Sequence, residues 1–233
     1  MPVRPLTRRD IVLAGLGTAS AYAAPGPTSS QAAQLFPNPS ACVITPQSIE
    51  GPFYFDPALH RADISEGLPG VPLALQFHVV EAGSCSPVAN ARMDVWHADP
   101  LGRYSGYTQQ GDSRRVSTAG QTFLRGTQFS DSQGRVTFKT LYPGWYPGRT
   151  AHVHFKLFLD RRSVLTGQMY FPDGLSDHIY ADVRPYSDRR VRRDTLNTTD
   201  AIAQMDPAKA GFCYIKEEPE GYTAALLVGI GRG

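Results

Sequence analysis

The feature that most constrains this chain is a set of short runs in which apolar and polar residues alternate, each closed off by glycine or proline. In residues 71–79, Val71, Leu73, Leu75, Phe77 and Val79 alternate with Pro72, Ala74, Gln76 and His78, the period-two pattern of a half-buried strand. Residues 91–97 form a second run, ended by Asp99-Pro100-Leu101-Gly102, and the turn Ser132-Gln133-Gly134 precedes a third at 136–140. Residues 151–159, 164–171 and 224–230 read as further strands, whereas helical signal is confined to 176–183 and 199–204. Many short strands without a repeat or a second core imply an all-β, single-domain antiparallel β-sandwich with long loops and few short helices. The 22 glycines and 19 prolines are dispersed over 233 residues, which suits such loops and argues against a disordered tract.

Charge excludes one class of function. The chain carries 23 basic and 21 acidic side chains, and Arg4, Arg8, Arg9 and Asp10 all fall in the first 23 residues. The remainder is balanced, so there is no polybasic footprint for nucleic acid. Arg8-Arg9 precede a short apolar stretch ending at Ala21-Tyr22-Ala23-Ala24, the layout of a twin-arginine-type signal peptide over residues 1–23. The apolar part is too short to span a bilayer as a helix. The expected organisation is therefore signal at 1–23, flexible lead-in at 24–40 and a β-sandwich domain at 41–233. The implied partner is the twin-arginine export machinery, which moves folded proteins, and the destination is periplasmic or extracellular. There, Cys42, Cys85 and Cys213 allow one disulfide and one leftover thiol. Three pairings are open, and a Cys42–Cys85 staple is preferred.

The run at 151–159 carries the chemistry. Val153, Phe155 and Leu157 take one face, so His152, His154 and Lys156 take the other. Histidines at i and i+2 point the same way, with Cα atoms about 7 Å apart, and their nitrogens can converge on one first-row metal. Just upstream, Tyr142-Pro143-Gly144-Trp145-Tyr146-Pro147-Gly148-Arg149 brings Tyr146 and Arg149 beside them, and Tyr104 follows the turn at 99–102. Two phenols with two imidazoles suit hard, oxidised iron. A phenol normally loses its proton near a pKa of about 10, and a trivalent cation supplies the field that removes it earlier. A zinc hydrolase or an extradiol-type ferrous site would want a carboxylate or cysteine third ligand, and no such motif accompanies His152 and His154.

The runs F-L-R-G-T-Q-F-S-D at 123–131 and P-G-W-Y-P-G-R-T-A-H-V-H at 143–154 resemble those of the intradiol ring-cleavage dioxygenases, over about residues 45–171. The likeness is to an exported branch lacking the helical dimerisation segment of the cytoplasmic catechol enzymes, which tilts the oligomeric state towards monomer. The resemblance implies a non-haem Fe(III) cofactor bound by Tyr104, Tyr146, His152 and His154. Tyr146 would be the tyrosinate displaced by substrate, Arg149 the arginine stabilising the activated catecholate, and Gln168 a polar pocket residue. It implies cleavage of a catechol by dioxygen between the two hydroxyl-bearing carbons, to a cis,cis-muconate-type product. Only Pro147 and Gly148 separate Tyr146 from Arg149, a shorter link than in cytoplasmic relatives, so the substrate entrance should differ in shape. The competing function is a non-catalytic exported β-sandwich module that binds aromatic or carbohydrate ligands. Beyond the ligand set, His97 is expected to pack or hydrogen-bond near the site, and Tyr107 to be an ordinary turn residue. Trp145 suits a pocket wall or the core, and the arginine-rich stretch 184–193 a solvated, salt-bridged face.

Overall fold

A computed structural model of the chain describes residues 42–56 and 58–231. The expected signal peptide (1–23) and lead-in (24–40) lie outside the described residues.

Among the described residues eight strands form two four-stranded sheets. They are β1 (Pro72–Glu81), β2 (Arg92–Trp96), β3 (Arg125–Phe129), β4 (Arg135–Leu141), β5 (His152–Leu159), β6 (Arg162–Tyr170), β7 (Tyr214–Glu218) and β8 (Gly221–Ile230). The first sheet has the order β4-β1-β8-β7 and the second β3-β2-β5-β6. Pairings are antiparallel except β1 with β8, which run parallel from Leu73↔Tyr222 to Glu81↔Ile230. Leu73, Leu75, Phe77 and Val79 of β1 are buried, as their alternation requires, with Val136 and Phe138 of β4 and Leu226 and Val228 of β8. They face Met93, Val95, Val153, Phe155, Leu157 and Met169 from the second sheet. The Phe77 and Phe155 rings meet across the layers with centroids 5.4 Å apart. Each such side chain contributes about 1.5–3 kcal/mol by leaving water, and together they make one core.

The helical expectations shift. The helix α1 spans Asp173–Asp182, three residues earlier than the pattern implied, with Pro172 at its N-cap. The expected helix at 199–204 is a short 3-10 turn at Ala203–Met205, because the Asp200 carboxylate takes the Ile202 and Ala203 N–H groups for itself. The disulfide joins Cys42 to Cys85, and Cys213 is the remaining thiol.

One segment decides where chemistry can occur. Residues 45–56 and 58–64 lie across the outer face of the second sheet from β6 to β3, as a strap. The Ser48 N–H donates to the Thr166 carbonyl (2.8 Å), Glu50 pairs with Lys156, and the Tyr54 hydroxyl donates to Asp94 (2.9 Å). The ring of Phe55 lies 4.3 Å from the Arg125 guanidinium, and the Arg61 N–H donates to the Thr127 carbonyl (3.1 Å). The polar face of β5 is therefore covered, and His152 and His154 are buried together with the apolar face behind them.

Candidate active site

Two loops and one strand build the site. β5 projects His152 and His154 towards the strap. The Asp99 carboxylate folds the loop after β2 by accepting the Leu101 and Arg103 N–H groups, each at 2.9 Å, and this delivers Tyr104. Gly102 has φ +74°, and a Cβ there would lie 2.3 Å from the Trp145 carbonyl oxygen. Only glycine lets this loop press against the one carrying Tyr146. Tyr146-Pro147-Gly148-Arg149 closes as a tight turn, with the Arg149 N–H on the Tyr146 carbonyl (3.1 Å) and Gly148 at φ +79°. Proline then glycine at the two central positions is the type II signature.

The polar ends of the four side chains converge. His152 Nε2 lies 3.1 Å from His154 Nε2, 3.1 Å from the Tyr146 hydroxyl and 3.3 Å from the Tyr104 hydroxyl; Tyr104 is also 3.1 Å from His154 Nε2. His152 Nδ1 donates to the Thr150 carbonyl at 2.7 Å, so Nε2 is the bare nitrogen, turned inward. A cation held at about 2.0–2.1 Å spreads neighbouring donors about 3.2 Å apart, so the cluster has the dimensions of a first-row metal centre. Its chemistry fits oxidised iron. Burial holds both imidazoles neutral, far below their ordinary pKa, with the Arg149 charge acting in the same direction. Burial also pushes both phenols up, Tyr104 well above its ordinary value, so a highly charged cation is needed to make them phenolates. Among the described residues no group of three or more His, Cys, Asp or Glu is placed to hold a metal.

The surroundings lock the donors. The Phe53 ring stacks on Tyr104 at 4.5 Å, and Trp96 stacks on His154 at 4.8 Å. Arg149 reaches in from the side. One terminal nitrogen donates to the Tyr146 hydroxyl at 3.3 Å, and the other donates to Gln168 Oε1. Gln168 also receives the Tyr170 hydroxyl at 3.0 Å and donates to the Ile49 carbonyl of the strap at 2.9 Å. The structure thus brings all six residues singled out from sequence into one place.

Other sequence expectations divide. His97 stays out of the cluster. Its Nδ1–H donates to the Ala98 carbonyl (2.9 Å) and its Nε2 accepts from Thr140 (2.7 Å), while burial lowers its pKa to about 4. Tyr107 donates to the Tyr54 carbonyl at 3.0 Å. Trp145 is buried beneath Arg189, whose guanidinium lies 3.8 Å above its ring. The stretch 184–193 is in part the solvated, salt-bridged face expected, with Arg190 and Arg192 exposed. Arg184 is exposed, but the Arg189 and Arg193 side chains are only 4% and 5% exposed, and their carboxylate partners tie distant loops together. Sequence reasoning missed Arg125. It is buried, its pKa is lowered to about 10 by burial, and it donates to the Ser105 hydroxyl and carbonyl behind Tyr104. It also missed Asp200, whose carboxylate receives Arg149 Nε at 2.9 Å. Both are single charged residues whose partners lie far away in sequence, so no local pattern marks them.

A family model described as Dioxygenase matches residues 49–206. The protocatechuate 3,4-dioxygenase beta chain of Burkholderia cepacia is 34% identical over 164 residues, 64% of this chain and 67% of that one. The chlorocatechol 1,2-dioxygenase of Pseudomonas sp. strain P51 is 30% identical over 148 residues, and the chain spans 51% of its own length and 56% of that enzyme. An intradiol ring-cleavage dioxygenase from Tetranychus urticae superposes with a TM-score of 0.73 at 30% identity, covering 82% of this chain and 95% of that one. The chain belongs to the intradiol ring-cleavage dioxygenase family.

Proposed function

We propose that the chain is a non-haem Fe(III) dioxygenase that opens catechol-type aromatics between their two hydroxyl-bearing carbons to cis,cis-muconate-type products. The observation that carries this reading is the convergence of two imidazole Nε2 atoms and two phenol oxygens within 3.1–3.3 Å, with no carboxylate among them. Tyr104, Tyr146, His152 and His154 would hold the iron, two phenolates offsetting two of its three charges. When bound, ferric iron draws electron density from a coordinated catecholate, so that dioxygen can attack a ring carbon directly without an external reductant.

The protein's own groups do the rest. Tyr146 is partly exposed and sits in a turn, whereas Tyr104 is buried under Phe53. Tyr146 is therefore the donor with room to move, and its phenolate oxygen would be the base that takes a proton from a catechol hydroxyl. Arg149 then stabilises negative charge developing on substrate and oxygen beside that position, a contribution of about 3–4 kcal/mol for a fixed donor. Gln168 steadies Arg149 and ties it to the strap, which keeps bulk water off the imidazole pair. The relatives carry the names of dioxygenases, which does not favour the non-catalytic binding module. Delivery by the twin-arginine machinery to a periplasmic or extracellular site belongs to the same reading. The Cys42–Cys85 disulfide suits an oxidising destination, and no helix among the described residues is long and apolar enough to cross a membrane.

The test is a visible absorption spectrum of the iron-loaded protein, without oxygen, before and after catechol. The reading expects a phenolate-to-iron band that catechol moves to lower energy, and a weakened resting band in Tyr104→Phe. A colourless protein with stoichiometric iron would overturn it.

A further inference from the structure

The Tyr146–Arg149 turn is held from outside the site by one later segment. The Gly148 N–H donates to the Asp194 carboxylate at 3.1 Å, and the Thr150 hydroxyl donates to Asn197 Oδ1 at 2.9 Å. The third clamp is Asp200, whose side chain is completely buried. One of its oxygens receives Arg149 Nε and the Thr150 N–H, both at 2.9 Å; the other receives the Ile202 and Ala203 N–H groups at 2.8 and 3.1 Å. All four neighbours are N–H donors, so the position requires four acceptor sites and no donor.

We propose that Asp200 is a positioning residue for the ring-opening reaction, setting the rotation of the Arg149 guanidinium so that one terminal nitrogen faces the Tyr146 hydroxyl, beside the reacting atoms, while the other is held by Gln168. This inference rests on the function proposed above. A guanidinium is a planar fork, so fixing its Nε fixes the directions of the other nitrogens. With Nε taken by Asp200, one terminal nitrogen reaches the Tyr146 hydroxyl and the other Gln168. Asp200 also balances the arginine's charge from the side away from the four-donor cluster, so Arg149 can sit beside the imidazoles without an anion entering the site. The Thr150 N–H shares the oxygen that binds Arg149, so the start of β5 and the arginine are located by the same atom.

Asp200→Asn tests this with little change of volume, because an amide nitrogen placed against four N–H groups leaves at least one pair unmet. Iron-loaded Asp200→Asn should keep wild-type iron content and resting absorption, since the four donors are untouched. Its kcat should fall on the order of 100-fold, the cost of misplacing a reacting group by about an ångström, with a smaller change in KM. In an Arg149→Gln background the same substitution should cost less than a further factor of about 2, because a residue acting through Arg149 has nothing left to act on. In the metal-free full-length chain, the Arg149 Nε–H should exchange slowly with solvent and become fast in Asp200→Asn. That readout decides the Asp200–Arg149 link even if the wild type shows no iron band, which would be a failure of the proposed function alone. Asp200→Glu, with the charge restored, guards against a variant that fails to fold. Turnover within about threefold of wild type, an equal loss with and without Arg149, or unchanged Nε–H exchange would each overturn the inference.

Discussion

Removing the Cys42–Cys85 disulfide should destabilise the fold strongly and leave the site intact. The cross-link joins residues 43 apart in sequence and closes a loop that contains the strap and all of β1. Loop-closure entropy for that length is worth about 4 kcal/mol at 25 °C. Alanine at both positions is the cleanest perturbation, since it leaves neither a free thiol nor a buried hydroxyl. With an m-value of about 2 kcal/mol/M, the urea midpoint of Cys42→Ala/Cys85→Ala should fall by about 2 M relative to the oxidised wild type. The strap does not depend on the disulfide for its position. Thr45 exchanges hydrogen bonds with Gly229, Ser48 holds Thr166, and Gln47 holds both Val164 and Thr166. In the absence of denaturant the iron-loaded variant should therefore keep the wild-type visible spectrum. A midpoint shift below about 0.5 M would refute the entropic argument. Loss of the band in the folded variant would refute the independence of strap and staple.

Three further outcomes follow from the packing and from the buried charges. A methyl group at Gly167 would lie 2.1 Å from Phe155 Cζ in the core, so Gly167→Ala should cost about 1–3 kcal/mol by calorimetry, and Phe155→Leu in the same chain should recover part of it. His97 is held neutral with its pKa lowered to about 4, so between pH 6.5 and 4 the unfolded chain binds a proton that the fold refuses. Stability should decline as pH falls through that window, and His97→Gln should flatten the decline in urea melts. Arg189→Ala should cost about 2–3 kcal/mol by removing the buried partner of Asp112 and the cover of Trp145, whereas Arg184→Ala, at an exposed pair, should change the melting free energy by less than about 0.5 kcal/mol.

Where a strand buries one apolar face, its alternation was legible in the sequence. β1 and β4 appear within two residues of their observed ends, and the His152/His154 pair was readable because period two puts both on one side of β5. β3 was not recognised because its buried positions are Arg125, Gly126 and Thr127, which carry no hydrophobic signal. β7 is an edge strand of largely exposed, charged residues and looks like a loop. The parallel pairing of β1 with β8 joins segments some 150 residues apart, and nothing local to either announces it. Asp200 is hidden in the same way, 51 residues from the Arg149 it holds. Tyr146 and Arg149 were marked by the turn just before the histidines and Tyr104 by the turn it follows, with their roles implied by the family likeness, whereas the strap that buries the pair could be seen only once the second sheet was assembled.

The roof of the site and its floor come from distant parts of the chain. Glu50 and Lys156 are separated by 106 residues and Gln168 and Ile49 by 119, so the strap leaves the ribosome long before there is anything for it to rest on. The same separation gives evolution two nearly independent handles. Substitutions along 45–56 can reshape what may approach the centre without disturbing β5, and the histidines can remain fixed while the roof is rewritten for a new ring.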